Sequence, residues 1–135
     1  EAICGQSVTS CIISDFSTHW IVGIPQEFQV KLICFSVLSV HAATFLGLPG
    51  TRKTPLYPES LTVTPEWVTF PSSVAYRRDE AIAFVSGTNP VNASGVSDLQ
   101  RLSRVFNGSE AILFRSCYDI GKEYLNAFQK LVGSL

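Results

Sequence analysis

The apolar periodicity of Ser109 to Leu131 constrains the fold more than any other stretch of the sequence. Leu113, Cys117, Ile120, Tyr124, Phe128 and Leu131 recur at intervals of three and four, the spacing of one helix face. Phe114, Tyr118 and Leu125 widen that face, while Arg115, Asp119, Lys122, Glu123, Asn126, Gln129 and Lys130 fall opposite. So wide an arc suits a helix laid across a sheet or wedged between elements, not one packed along a narrow seam. Ser109 is placed to cap the first turn, with Glu110 near the positive end of the helix. Gly121 breaks the pattern at a cost of roughly 1 kcal/mol against Ala. Close approach of another backbone would explain it, and so would a tolerated kink. If the central face packs on a sheet, the second strip either joins the core or lines a cavity or partner surface. Phe114, Tyr118 and Leu125 are therefore the candidate binding residues.

The rest of the chain supplies what that helix would pack on. Ile3, Val8, Ile12, Ile13 and Phe16 alternate with small polar residues, as in a short strand after a tethered N-terminal loop. Trp20 to Ile24 is apolar and β-prone, with a turn near Pro25-Gln26. Phe28 to Leu48 is the most hydrophobic stretch, and between Leu32 and Leu48 it holds no Asp, Glu, Lys or Arg and one histidine, His41. The Leu32–Leu48 segment is seventeen residues long, short of the roughly 20 apolar residues needed to cross a bilayer, so the stretch is expected to be buried core. Gln29 to Phe35 suits a strand and Val37 to Leu46 a helix, ended by Gly47-Leu48-Pro49-Gly50. Thr51 to Pro55 is expected to be an exposed loop. Leu61 to Thr64 and Trp67 to Phe70 are β-prone, but Pro65 confines them to an edge or a break. Val74 to Val85 fits a hairpin or, without a breaker in the run, a helix that begins near Ser72 or Ser73. Ser97-Asp98 caps a helix through Phe106, and Asn107-Gly108 turns into the final one. The expected fold is a single α+β domain over residues 1–135, its β-rich N-terminal half packed against C-terminal helices.

Composition narrows the function classes. At 135 residues, 46% hydrophobic and 16% charged, the chain has few charges for a soluble surface. An apolar cavity, a covered interface or attached glycans would make up the difference. A net charge of -1 provides no basic stripe, which argues against nucleic acid. The absence of Met suggests a chain cut from a precursor, with any signal peptide removed. Cys4, Cys11, Cys34 and Cys117 allow three complete pairings, of which Cys4–Cys11 with Cys34–Cys117 joins near neighbours and two apolar segments. No C-x-x-C is present, so structural zinc and dithiol redox chemistry are not expected. No cofactor is expected either. The sequons at Asn92 and Asn107 agree with a secretory route and an extracytoplasmic location.

No sequence motif specifies a reaction. Asp15, His19 and His41 are the best catalytic candidates, with Ser17 or Ser39 as nucleophile, because Asp15 and His19 would meet across one helical turn. The G-x-S-x-G, H-E-x-x-H and P-loop patterns are all missing. The acidic pairs, such as Asp79-Glu80, read as solvated turns and not as carboxyls opposed across a cleft. The expectation from sequence is a secreted, disulfide-bonded protein that acts by binding a protein partner or companion subunit. The alternatives are a carrier of an apolar ligand and a small secreted hydrolase using His19 or His41.

Overall fold

The computed structural model describes residues 11–47 and 56–133. Cys4 and the Thr51–Pro55 loop lie outside them. Strands β1 (Cys11–Ser14), β2 (Lys31–Ser36) and β3 (Ala111–Phe114) form a parallel sheet in the order β1-β2-β3. Ile12 pairs with Leu32, and Cys34 pairs with Ser14 on one side and Ile112 on the other. Parallel neighbours cannot be joined by a hairpin and need crossovers. The first crossover is a 3₁₀ segment (Phe16–Gly23) and the short helix α1 (Ile24–Phe28). The second carries α2 (Val40–Leu46), α3 (Arg78–Thr88) and α4 (Asp98–Gly108). Helix α5 (Tyr118–Gly133) follows β3.

Local sequence sets most of these boundaries. Pro25 begins α1, and Gln29, at φ 54°, ends it in the left-handed region. Ser39 Oγ accepts from Ala42 N at 3.2 Å to cap α2, which stops at Gly47 with φ 75°. Ser97 Oγ accepts from Gln100 N, and Gln100 Oε1 accepts from Ser97 N, a reciprocal cap on α4. At α3 Glu80 Oε2 accepts from Arg77 N at 2.9 Å.

Strand β2 alternates as a strand with one covered face should: Leu32, Cys34 and Ser36 are buried, whereas Lys31 and Phe35 are exposed. Cys34 joins Val40, Ala43, Val105, Phe106, Tyr124, Phe128 and Leu131 in the main core, which therefore draws on β2, α2, α4 and α5. A second cluster of Phe45, Leu46, Leu56, Leu61 and Ala81 seats α3. Buried polar groups are matched where the two helices meet. Thr44 Oγ1 donates to the Tyr124 carbonyl at 3.1 Å, and Trp67 Nε1 donates to the Thr44 carbonyl at 2.7 Å.

The structure corrects the sequence-based expectations at several points. The fold is mixed α/β with helices between parallel strands, not an α+β domain with a β-rich half and a helical half. The final helix begins at Tyr118, because Ala111–Phe114 is drawn into the sheet by β2. Asn107-Gly108 accordingly leads into a strand, not into a second helix. Trp20 to Ile24 is helical. The β-prone Leu61–Thr64 and Trp67–Phe70 form no strand; Pro58–Leu61 is a 3₁₀ turn and the rest is irregular. No disulfide forms among the described residues: Cys11, Cys34 and Cys117 are free thiols, with Cys34 buried in β2 and Cys117 exposed ahead of α5. Gly121 is explained by close packing, though not against backbone. A Cβ there would lie 2.8 Å from Ser116 Oγ and 3.2 Å from Val40 Cγ1. None of the described helices is long and apolar enough to cross a membrane.

Candidate functional site

In an open parallel sheet every strand ends at the same edge, and the loops leaving that edge form the usual ligand crevice. Here the edge is built by Asp15 and Phe16 after β1, Val37 to Ser39 after β2, and Arg115 to Cys117 after β3. Asp15 caps the 3₁₀ segment, its Oδ1 accepting from Ser17 N at 2.8 Å and from Ser17 Oγ at 2.5 Å. Its Oδ2 takes no hydrogen bond among the described residues. Ser14 Oγ and Thr18 Oγ1 are hydrogen-bonded beneath it, and Ser36 Oγ donates to the Leu38 carbonyl at 3.0 Å.

The Asp15 charge is felt inside the sheet. Burial, with a further contribution from the Asp15 carboxylate, pushes the Cys34 thiol from 9.0 up to about 11. The sign follows directly. The folded chain keeps this proton in a range where the unfolded chain has lost it, so the stabilisation is complete below pH 9 and disappears as pH rises toward 11. The loss amounts to roughly 2–3 kcal/mol. Urea melts of the wild type and Cys34→Ala on either side of this window should show the smaller alkaline loss in the variant. Equal losses would contradict the assignment. The Tyr76 hydroxyl, raised by burial and by Glu80, adds an alkaline loss common to both proteins.

At this edge an open cavity of about 210 Å³ lies between Phe16, Val37 and Leu38 from the strand exits and Phe84, Leu99 and Leu102 from α3 and α4. Thr88 and Asp98 are its polar borders, and among the described residues no Lys or Arg lines it. Such a surface takes an apolar group and repels an anion.

The other candidates from sequence are dispersed. His19 sits on the 3₁₀ segment that packs against α4, with Nδ1 buried and without a hydrogen-bond partner. His41 lies on α2 with its ring 4.3 Å from that of Tyr124, whose hydroxyl is 2.6 Å from Ser72 Oγ. No hydrogen bond among the described residues joins Asp15, His19 and His41. Ser17 and Ser39 serve as capping partners.

Phe114 and Leu125 are brought together, lining a cavity of about 280 Å³ with Phe106, Phe128 and Val132. Tyr118 stands apart, exposed, with Lys122 Nζ 5.4 Å from its ring centre. Asn92 Oδ1 accepts from Ser94 N, Ser94 Oγ and Arg101 Nη2, tying its loop to α4. Asn107 is exposed near the end of α4. The apolar cavity at the strand exits was missed from sequence because four elements build it. Asp15 itself carried a readable signal, an acid two residues past the β-branched Ile12-Ile13 pair and two residues before the serine it caps.

Comparison with known proteins gives this edge a chemical context. No protein-family model matches the chain. It is 30% identical over 125 residues to UDP-glycosyltransferase 91C1 of Arabidopsis thaliana, covering 89% of this chain and 26% of that protein. It is 30% identical over 131 residues to UDP-glycosyltransferase 91B1 of the same plant, covering 90% and 28%. With UDP-glycosyltransferase 91D1 of Stevia rebaudiana the identity is 27% over 127 residues, covering 89% and 25%. These similarities replace the expected disulfide-bonded secreted glycoprotein, acting by binding a protein partner, with an enzyme context. They likewise displace the apolar carrier and the histidine hydrolase. The chain spans about a quarter of the length of these relatives, and it resembles them along nearly all of its own.

Proposed function

We propose that these residues form the acceptor-side portion of a UDP-glycosyltransferase, which moves a sugar from a UDP-linked donor to a hydroxyl of a small, partly apolar acceptor. The observation that carries this is the similarity to UDP-glycosyltransferases along about nine-tenths of the chain. The cavity supports an acceptor, not a donor, at this edge. A UDP diphosphate needs backbone N–H groups or cationic side chains. The cavity at the strand exits offers an apolar wall and the Asp98 carboxylate instead. Its volume is below the roughly 300–1,000 Å³ of a full ligand site, which suits the apolar end of an acceptor. The donor's phosphates then belong to chain outside these residues.

The test is a hybrid in which residues 1–135 replace the matched quarter of the Arabidopsis thaliana 91C1 protein. UDP release from a UDP-sugar is followed with a panel of hydroxylated apolar acceptors. Release that requires both donor and acceptor is expected. A folded hybrid that releases no UDP with any acceptor, where the parent enzyme does, would rule the proposal out.

A further inference from the structure

The cavity at the strand exits draws its apolar walls and its polar groups from different parts of the fold. Phe16 and Val37 wall it where the strands end, and Leu99 and Leu102 wall it from α4. Its two polar residues come from the ends of the α3–α4 connection, since Thr88 is the last residue of α3 and Asp98 the first of α4. Neither side chain offers a free donor. Thr88 Oγ1 donates its proton to the Phe84 carbonyl at 2.7 Å, so it can only accept from an occupant. Asp98 Oδ1 lies 3.5 Å from Arg101 Nη1 and 3.5 Å from Asn92 Nδ2, and its Oδ2 has no hydrogen bond among the described residues.

The groups around Asp98 leave the sign of the site negative. Arg101 turns its other terminal nitrogen to Asn92 Oδ1 and Ser94 Oγ, and it does not line the cavity. The positive end of α4 would ordinarily attract an anion. Here that end already carries Asp98, and its cap is closed: Ser97 Oγ accepts from Gln100 N, and Gln100 Oε1 accepts from Ser97 N. An occupant therefore meets an apolar surface edged by acceptors and a negative charge. A hydroxyl suits both, because it donates and is uncharged. A carboxylate suits neither, because it only accepts and is repelled.

We propose that Asp98 selects what enters this cavity: a neutral apolar molecule whose hydroxyl donates to the Asp98 carboxylate is taken, and a carboxylate of the same shape is rejected. The inference rests on the transferase proposal only for calling that molecule the sugar acceptor.

Three probes of similar shape test it: phenylpropanol, which donates; its methyl ether, which only accepts; and phenylpropanoate, which is charged. Titrations of the 135-residue chain, followed through the methyl resonances of Leu99 and Leu102, give each dissociation constant and show where the probe sits. The Asp98 side chain is 41% exposed, so solvent screens its charge and the expected ratios are modest. The alcohol should bind at least about threefold tighter than the ether and about tenfold tighter than the carboxylate. Asp98→Asn removes the charge, keeps an accepting oxygen and spares the Ser97 cap. In that variant the carboxylate should come within about threefold of the alcohol. Val37→Trp, at a position already 56% exposed, narrows the cavity and should weaken all three probes alike.

A carboxylate that binds as tightly as the alcohol would overturn the proposal. So would a preference that survives Asp98→Asn unchanged, or the absence of any shift at Leu99 and Leu102. These ratios do not depend on sugar transfer. A folded hybrid that releases no UDP would sink the proposed reaction and leave them standing, whereas an active hybrid with the wrong ratios would remove only the role of Asp98.

Discussion

If the proposed transferase reading holds, asparagine in place of Asp15 should leave the fold standing and slow sugar transfer in the hybrid by roughly 10²- to 10⁴-fold, the usual contribution of a positioned acid–base group. In the transfer an acceptor hydroxyl attacks the anomeric carbon of the donor sugar. The carbon–oxygen bond to UDP breaks, UDP leaves with the electron pair, and the hydroxyl proton has to be taken up. Asp15 is fixed where strand β1 ends, one residue before Phe16 of the apolar cavity, with one carboxylate oxygen held by Ser17 and the other without a hydrogen bond among the described residues. That free oxygen can take the proton or hold a neighbouring base in place. Asn caps a helix about as well as Asp and still accepts from Ser17 N, so the variant removes charge and spares local structure. The measurement is kcat in the hybrid enzyme, alongside thermal melting of both proteins. An unchanged kcat would remove Asp15 from the chemistry. The 135-residue chain provides a second readout, since losing the carboxylate should lower the Cys34 thiol toward its ordinary range.

Phe128→Ala should cost about 3–5 kcal/mol, the usual range for emptying an aromatic core position. Phe128 is buried in the main core, and its ring meets Phe114 of β3 at 4.8 Å and Phe106 of α4 at 6.3 Å, both edge-on. It is thus the side chain through which α5 holds the last strand and the last crossover helix together. Against a typical domain stability of about 5–15 kcal/mol, the loss is large enough to leave a measurable unfolded fraction. Urea denaturation gives the value. A cost below about 1 kcal/mol, the range for a surface change, would mean that α5 is held by other contacts.

The features legible in sequence were those written locally. Gly47 and Ser97 announced the end of α2 and the start of α4 because caps and breakers act within one turn. Ala111–Phe114 was not legible. Four apolar residues satisfy both a strand template and a helical i, i+3 pattern, and the deciding partner, β2, lies far away in the chain. The cysteines misled for a related reason. An even number permits pairing, but a disulfide needs Cβ atoms about 3.5–4.5 Å apart, and counting says nothing about whether Cys34 in a strand can meet Cys117 ahead of a helix. Asp15 was noticed as an acid four residues before His19. Its place at the carboxyl edge of a parallel sheet gives it a stronger claim, and that depends on knowing where Ser14 ends a strand.

The two strand pairings also differ in how much chain each must close. Ile12 meets Leu32 across the short first crossover, whereas Cys34 meets Ile112 only after three helices. Longer closures cost more entropy and slow folding, so β1 and β2 should associate first, with β3 and α5 added late. Phe128→Ala would then act mainly by accelerating unfolding, with little effect on the refolding rate, a division that stopped-flow kinetics resolves. On the ribosome the order has a cost. From the moment Ser36 emerges until Phe114 follows, β2 presents an unpaired edge that any other extended chain can join.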